Sequence, residues 1–380
     1  MKHILLVLLS GILATVFVAC ENQQSFKVSG NTIKIGFIGP MSGSDEMWGK
    51  SGLLGSQIAL QIKPYLMNGD RVELIVEDDR NSPQLAVAAL RKLAVTDQVS
   101  AVLIMSDSET VLRLKEDAAV YKTPILALNA THPDITNSDY ISQLTFNDSI
   151  QGTVAALYVI DELLIEHVAV FKDVSQPYSA FLADTFTHTF TEVGGTVELV
   201  EFGQGSTAHI DSLERLKDQG ITFLYTPLTV EQILGIGLEI RKTSWHPKVM
   251  ATDGLLSQFI LQYDEQIAVV EGMLATDLYT TGVTKTAFGK EIYRIYQKDF
   301  KELGTTFTLL GSEGIALLMA AIDRCDNSSD RDCINRSLRK TNDFEGYLGK
   351  ISIKENGQAE RAIFINQIVN NHLMFIVKIY

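Results

Sequence analysis

The sequence predicts an α/β protein of two lobes, each a mainly parallel sheet flanked by helices. Three observations lead there. Short apolar runs suited to strands alternate with longer stretches of helical periodicity. The alternation pauses near Tyr140 and then starts again, which is enough for a second sheet. Polar loops carrying glycine, serine and aspartate follow most strand candidates, and strand C-terminal ends are where open α/β sheets place their ligands.

In chain order, 32–38 is the first strand, ending at Gly39-Pro40, and a helix is expected from about 49 to 66. A strand over 71–77 ends in Asp78-Asp79. Pro83 opens a helix running through Leu93, because proline suits the first helical turn. Strand 99–105, helix 109–121 and strand 124–128 complete the first series. The second reads helix 149–164, strand 167–172, helix 178–192, strand 196–202, helix 208–218, strand 221–226, helix 229–241 and strand 247–251. Gly194-Gly195 and Gly220 fall at helix ends, where glycine terminates a helix at low steric cost. After Gly272 come helices over 286–302, 310–324 and 331–339, then strands over 349–353, 361–369 and 373–379. The expected division is 31–147 with about 278–348 in one lobe, and 148–277 with about 349–380 in the other.

The N-terminus reads as an export signal over 1–19. Lys2 and His3 precede an apolar run from Ile4 to Val18, and Ala19-Cys20 leads into polar residues. Cys20 after that break resembles a bacterial lipobox, with Phe17 where such motifs carry leucine. Cleavage before Cys20 makes it the lipidated end of a tether over 20–30, on the periplasmic side of a bacterial membrane. Cys325 and Cys333, eight residues apart, suit a small disulfide-closed loop in an oxidising compartment.

The 380 residues carry a net charge of -14, which argues against nucleic acid or anionic lipid as a partner. The seven histidines are scattered, no zinc-ligand spacing occurs, and no cofactor is expected. Gly-x-Ser-x-Gly, His-Glu-x-x-His and Gly-x-Gly-x-x-Gly motifs are absent, so an enzyme is not expected.

Recognition chemistry falls instead on the strand-end loops. The first, Gly39 to Gly49, offers backbone amides and Ser42 to an anionic ligand group and Trp48 as an apolar wall; Trp48 serves equally in helix packing. Ser106 and Ser108 can donate hydrogen bonds to a carboxylate, or Ser108 or Asp107 can cap the next helix. The loop Asn129-Ala130-Thr131 offers a backbone carbonyl to an ammonium and a hydroxyl to a carboxylate. Tyr178 presents an aromatic face and a hydroxyl, and Thr226-Pro227-Leu228-Thr229 forms another strand-end loop. Asp253 is a partner for a ligand ammonium, or a turn residue.

Several segments, in this order and spacing, resemble the leucine/isoleucine/valine-binding family of periplasmic solute receptors that serve branched-chain amino-acid ABC transporters. They are Ile35 to Gly43, Asn129 to Thr136, Glu271-Gly272-Met273-Leu274, and Phe344 to Gly349 leading to Asn356-Gly357. The resemblance runs over about 31–372. It implies the periplasmic-binding-protein type I fold, capture of an amino acid or related small polar solute by closure of the lobes, and a permease as partner. A lipid-anchored ligand sensor is the alternative output. By position it puts Trp48 beside the ligand, Ser106 or Ser108 and Thr131 on its carboxylate, Ala130 or Asn129 at its ammonium through a backbone acceptor, and Tyr178 against it from the second lobe. Asp253 takes the place of the ammonium-binding acid, where the prototype carries glutamate, and Leu228 stands where an aromatic residue is expected.

Overall fold

The structure is a computed structural model that describes residues 30–300 and 305–380; the expected export signal and Cys20 lie outside the described residues. The first sheet contains β1 (Thr32–Gly39), β2 (Arg71–Asp78), β3 (Ala101–Ile104), β4 (Ile125–Ala127) and β5 (Ile141–Gln143). Its order is β2-β1-β3-β4-β5, with every pair parallel. Successive side chains on a strand point to opposite faces. Leu103 therefore joins one core with Ile35, Phe37 and Leu126, while Val102 and Ile104 join another with Ile38, Ile125 and Ala127. Helices covering both faces explain why β3 is buried along its whole length and reads as an uninterrupted apolar run.

The second series contributes β6 (His167–Asp173), β7 (Thr196–Phe202), β8 (Phe223–Tyr225), β9 (Lys248–Ala251) and β10 (Leu274–Asp277). Near the C-terminus follow β11 (Phe344–Glu345), β12 (Lys350–Ile353), β13 (Ala359–Glu360), β14 (Ile363–Val369) and β15 (His372–Ile379). The second sheet has the order β15-β14-β10-β9-β8-β6-β7. It is parallel from β7 through β10, and β14 and β15 close it as an antiparallel pair. Alternation again splits the core, with Phe171 and Ala169 on one side and Val168 and Val170 on the other.

Between β10 and β14 the chain returns to the first sheet. The helix Thr306–Ile322 packs along the helix Glu46–Ile62 at very short range. A Cβ on Gly311 would lie 1.8 Å from the carbonyl oxygen of Gly52, and one on Gly55 would lie 2.0 Å from that of Thr308. Ser56 Oγ donates to the carbonyls of both Gly52 (3.0 Å) and Gly311 (2.9 Å), tying the helices at their contact. The small sheet of β11, β12 and β13 leans on the edge of the first sheet, where Gln143 N donates to Gly357 O at 2.8 Å. Residues 350–360, expected beside the second sheet, thus pack against the first.

A buried ion pair locks the last passage between the sheets. Arg361 Nη1, just before β14, donates to Glu313 Oε2 at 2.8 Å and to Leu144 O at 3.2 Å. Glu313 Oε1 accepts from Tyr347 N at 2.6 Å, so the carboxylate is matched by donors on both oxygens, as a buried charge requires.

Helices and strands otherwise follow the sequence expectation within a few residues, with informative exceptions. β5 was not foreseen, and neither were the helix Leu255–Gln262 and β10. The helix expected to reach residue 66 stops at Ile62, because Pro64 lacks the amide that would continue it.

Cys325 and Cys333 are disulfide-bonded, with their Cα atoms 6.0 Å apart. Replacing both by serine is expected to cost roughly 2–3 kcal/mol, by restoring loop entropy to the unfolded chain. Thermal unfolding of the double variant with and without reductant checks this: reductant should lower the midpoint of the parent and leave the variant unmoved.

Candidate functional site

The C-terminal ends of both sheets face a common cavity of about 390 Å³. Its first wall grows from β1, β2, β3 and β4, and its second from β6, β8 and β9, with Phe307 and Leu310 closing one side. Trp48 Nε1 reaches across to Gln258 Oε1 at 3.4 Å, and the Trp48 ring stacks on Phe307 with centroids 5.8 Å apart. His132 meets Phe181 edge-on at 4.8 Å, also across the gap.

The first wall is organised by carboxylates and one amide. Ser42 Oγ donates to Asp78 Oδ2 at 2.6 Å and Met41 N to Asp78 Oδ1 at 2.9 Å. The loop expected to offer these donors to an anionic ligand therefore spends them on its own neighbour. Asn81, in a left-handed conformation with φ 54°, clamps two loops together. Its amide nitrogen donates to Asp45 and Asp107, both at 3.0 Å, while its oxygen accepts from Asp107 N at 2.9 Å. Asn81 lines the cavity and was missed in the sequence, since an Asp-Arg-Asn turn has no distinguishing local signal.

The predicted residues of this wall divide. Trp48, Ser108 and Asn129 line the cavity. Ser106 is buried and gives its hydroxyl to Asp79, whose carboxyl is pushed by burial up to about 6 despite that bond. Asp107 is the helix cap, accepting from Thr110 N at 2.8 Å. Ser108 Oγ accepts from the amides of Thr131 and His132, both at 3.3 Å. The Ala130 carbonyl already accepts from Gln143 Nε2 (3.1 Å) and Thr145 Oγ1 (3.4 Å). Thr131 is fully buried behind the wall. His132 Nδ1 accepts from Asp134 N at 3.2 Å, and burial lowers its pKa, so the ring is a neutral turn support.

On the second wall Tyr178, Leu228 and Asp253 all line the cavity. Tyr178 sits in the first turn of the helix Pro177–Glu192, and its hydroxyl donates to Asp253 Oδ1 at 2.6 Å. Gly254, at φ 74°, lets the chain turn sharply into the next helix directly after Asp253. Thr229 and Gln232 form a reciprocal cap on the helix Val230–Arg241, which fixes the Leu228 loop. Burial raises the pKa of Asp253, opposed by its bond to Tyr178 and by the nearby Gln151 side chain.

Behind Asp253 lies a group that the sequence reading passed over. Asp148 is fully buried at the start of the helix Asp148–Leu157, and neither carboxylate oxygen has a well-formed hydrogen bond. Burial, then repulsion from Asp253, holds its pKa well above the ordinary value, with only a slight opposing pull from the nearby Thr131 hydroxyl. Gln151 Oε1 and the Tyr225 hydroxyl, both buried, likewise lack partners. An unpaired carboxylate in such a place stays protonated or waits for a cation.

Asp277, at the end of β10, is another buried acid. Burial raises it from 3.8 to about 7; the Thr306 hydroxyl and the Tyr279 and Leu278 amides oppose this, and the Asp253 charge adds to it. The folded protein holds this proton to higher pH than the unfolded chain does. Its stabilising contribution is therefore complete below the ordinary carboxylate pKa and is lost as pH rises through 7. From about pH 5 to about pH 8 this group alone should remove roughly 2–3 kcal/mol. Denaturant unfolding at a series of pH values tests it: the parent should lose that stability and Asp277→Asn should show a flatter profile.

Among the described residues, no group of three or more histidine, cysteine or acidic side chains is placed to hold a metal ion, and no helix is long and apolar enough to cross a membrane.

Comparison with known proteins agrees with this architecture. The family model described as "Periplasmic binding protein" matches residues 32–372. A leucine-, isoleucine-, valine-, threonine- and alanine-binding protein of Pseudomonas aeruginosa is 24% identical over 363 residues, covering 91% of this chain and 92% of its own. The crystal structure of a leucine-binding protein from Thermotoga maritima superimposes with TM-score 0.84 and 28% identity, over 91% of this chain and 98% of its own. A solute-binding protein of an ABC transporter from Rhodopseudomonas palustris, in complex with 3,4-dihydroxybenzoic acid, shares the fold at TM-score 0.79 and 21% identity, over 92% and 97% of the two chains. The expected two-lobed α/β class holds across these structures. Because the match spans both sheets and every loop that walls the cavity, the chain belongs to the periplasmic binding protein family, whose members are solute receptors rather than enzymes.

Proposed function

We propose that this protein captures a small solute bearing an ammonium group between its lobes and presents it to the permease of an ABC transporter. The observation that carries this reading is the Tyr178–Asp253 pair, a half-buried acid held by a 2.6 Å hydrogen bond on the wall of a cavity fed by both sheets. Asp253 binds the ammonium. Ser108 and Asn129 contact the solute from the opposite wall, and Trp48, Tyr178 and Leu228 cover its apolar part. Ser106, Ala130 and Thr131 support this wall from behind, consistent with their burial and with the internal bonds of Ser106 and Ala130.

The moving units are residues 31–147 with about 278–348, and 148–277 with the final strands. Closure is favoured only by contacts that the solute makes to both units at once. We further propose that cleavage before Cys20 and lipidation of that residue hold the receptor at the periplasmic face of a bacterial membrane, beside its permease. Cys20→Ser is expected to move the protein from the membrane to the soluble fraction.

Native mass spectrometry of the gently purified protein tests the receptor reading. A bound small molecule, released unchanged on unfolding, supports it. A protein that carries no solute and takes none up from a metabolite mixture contradicts it.

A further inference from the structure

We propose that the solute is an organic cation with net positive charge, a diamine or a basic amino acid, rather than a neutral aliphatic amino acid. The proposal rests on the receptor reading above and names its substrate class.

The charge of the cavity is one-sided. Asp45, Asp107 and Glu109 line it from the first wall, Glu231 and Asp253 from the second, and no lysine, arginine or histidine lines it among the described residues. A neutral zwitterion adds no net positive charge to offset these five acids, whereas a solute of net positive charge does. Asp45 feels the charge of Glu231 across the gap. Drawing the walls together thus raises like-charge repulsion unless a cation lies between them.

A second observation points the same way without reference to the rim. The buried side chains left unspent around the site include acceptors: both oxygens of Asp148, Oε1 of Gln151, and Oδ1 of Asn129 on the cavity wall. Asp148 lies within electrostatic reach of Asp253, Tyr178 and Tyr225. Of the unspent acceptors, Asn129 Oδ1 belongs to a residue of the cavity wall, where an N–H group of a guest would satisfy it, while Asp148 and Gln151 lie behind the wall and sense a bound cation only through its field. One cationic nitrogen is placed at Asp253, where its field reaches Asp148. A second lies toward Asp45 and Glu231, near the stacked ring of Trp48, which favours a cation over its face. The acids do not converge closely enough to form a metal site, so the cation is organic.

Isothermal titration of the purified chain tests the proposal, with putrescine, agmatine, lysine and arginine against leucine, isoleucine, glutamate, 4-hydroxybenzoate and calcium chloride. At least one organic cation should bind about a hundredfold more tightly than leucine, and more weakly as salt is raised. Asp45→Asn with Glu231→Gln should weaken that cation by about tenfold and flatten the salt dependence. Tighter binding of a neutral or anionic compound, or of calcium, overturns the proposal and leaves the receptor reading standing. If no compound binds, the co-purified molecule decides: a cationic mass supports the proposal and a neutral or anionic mass overturns it. An empty protein that closes on nothing removes the receptor reading itself.

Discussion

Asp253→Asn should abolish most of the affinity for the solute that the protein carries. Removing one member of a buried, hydrogen-bonded charge pair costs roughly 2–5 kcal/mol, a loss of about thirtyfold or more. Asparagine keeps the shape of the side chain and an oxygen to accept the Tyr178 hydroxyl, so the wall itself should survive. The unliganded protein should be no less stable than the parent near neutral pH, because burial already raises the Asp253 pKa and charging this acid is costly. Titration calorimetry and thermal unfolding of the same preparation separate the two effects. Lost affinity with an unchanged midpoint fits an ammonium acceptor. Retained affinity removes Asp253 from the site.

The second large effect is steric and does not involve the charge of the site. Gly311→Ala places a methyl group where the Gly52 carbonyl oxygen would be 1.8 Å away, and a helix backbone cannot yield as a flexible side chain does. The helices Glu46–Ile62 and Thr306–Ile322 must then move apart. Overpacking commonly costs about 1–3 kcal/mol, and a backbone clash belongs at or beyond the top of that range. The midpoint of thermal unfolding should fall by roughly 4–5 °C. Gly203→Ala is the control, since its Cβ would meet only Val174 at 3.8 Å, and it should change little. Trp48 and Phe307 ride on the two displaced helices, so Gly311→Ala should also weaken solute binding although it touches no solute. Equal midpoints for the two variants would show that the helices do not pack as described.

Much of this architecture was legible because parallel strands buried on both faces leave long apolar signatures. β7 occupies the predicted residues 196–202, and β6 and β1 exceed their predicted spans by one residue. The misses are elements with little local signal. β5 is three residues, too short to show alternation. The helix Leu255–Gln262 starts from a left-handed glycine instead of a capping side chain, so nothing in the sequence announces it.

The site was legible by loop but not by atom. Strand-end loops could be ranked from composition, whereas the direction of each hydroxyl depends on partners distant in sequence. Ser106 turns to Asp79, 27 residues away, and Gln143 takes the Ala130 carbonyl from 13 residues away. Asp148 was hidden differently. It follows the cap residue Asn147 and looks like an ordinary acid in a first helical turn, and only the packing of both lobes' loops around it reveals an unpaired buried carboxylate.

Capture requires the solute to draw the two halves of the molecule together. Small-angle X-ray scattering, with the co-purified solute removed and then titrated back, measures this directly. The radius of gyration should fall and saturate at the concentration where calorimetry shows the site filling, with Asp253→Asn following only at much higher concentration. A radius of gyration that stays constant while the parent protein fills with solute would contradict it.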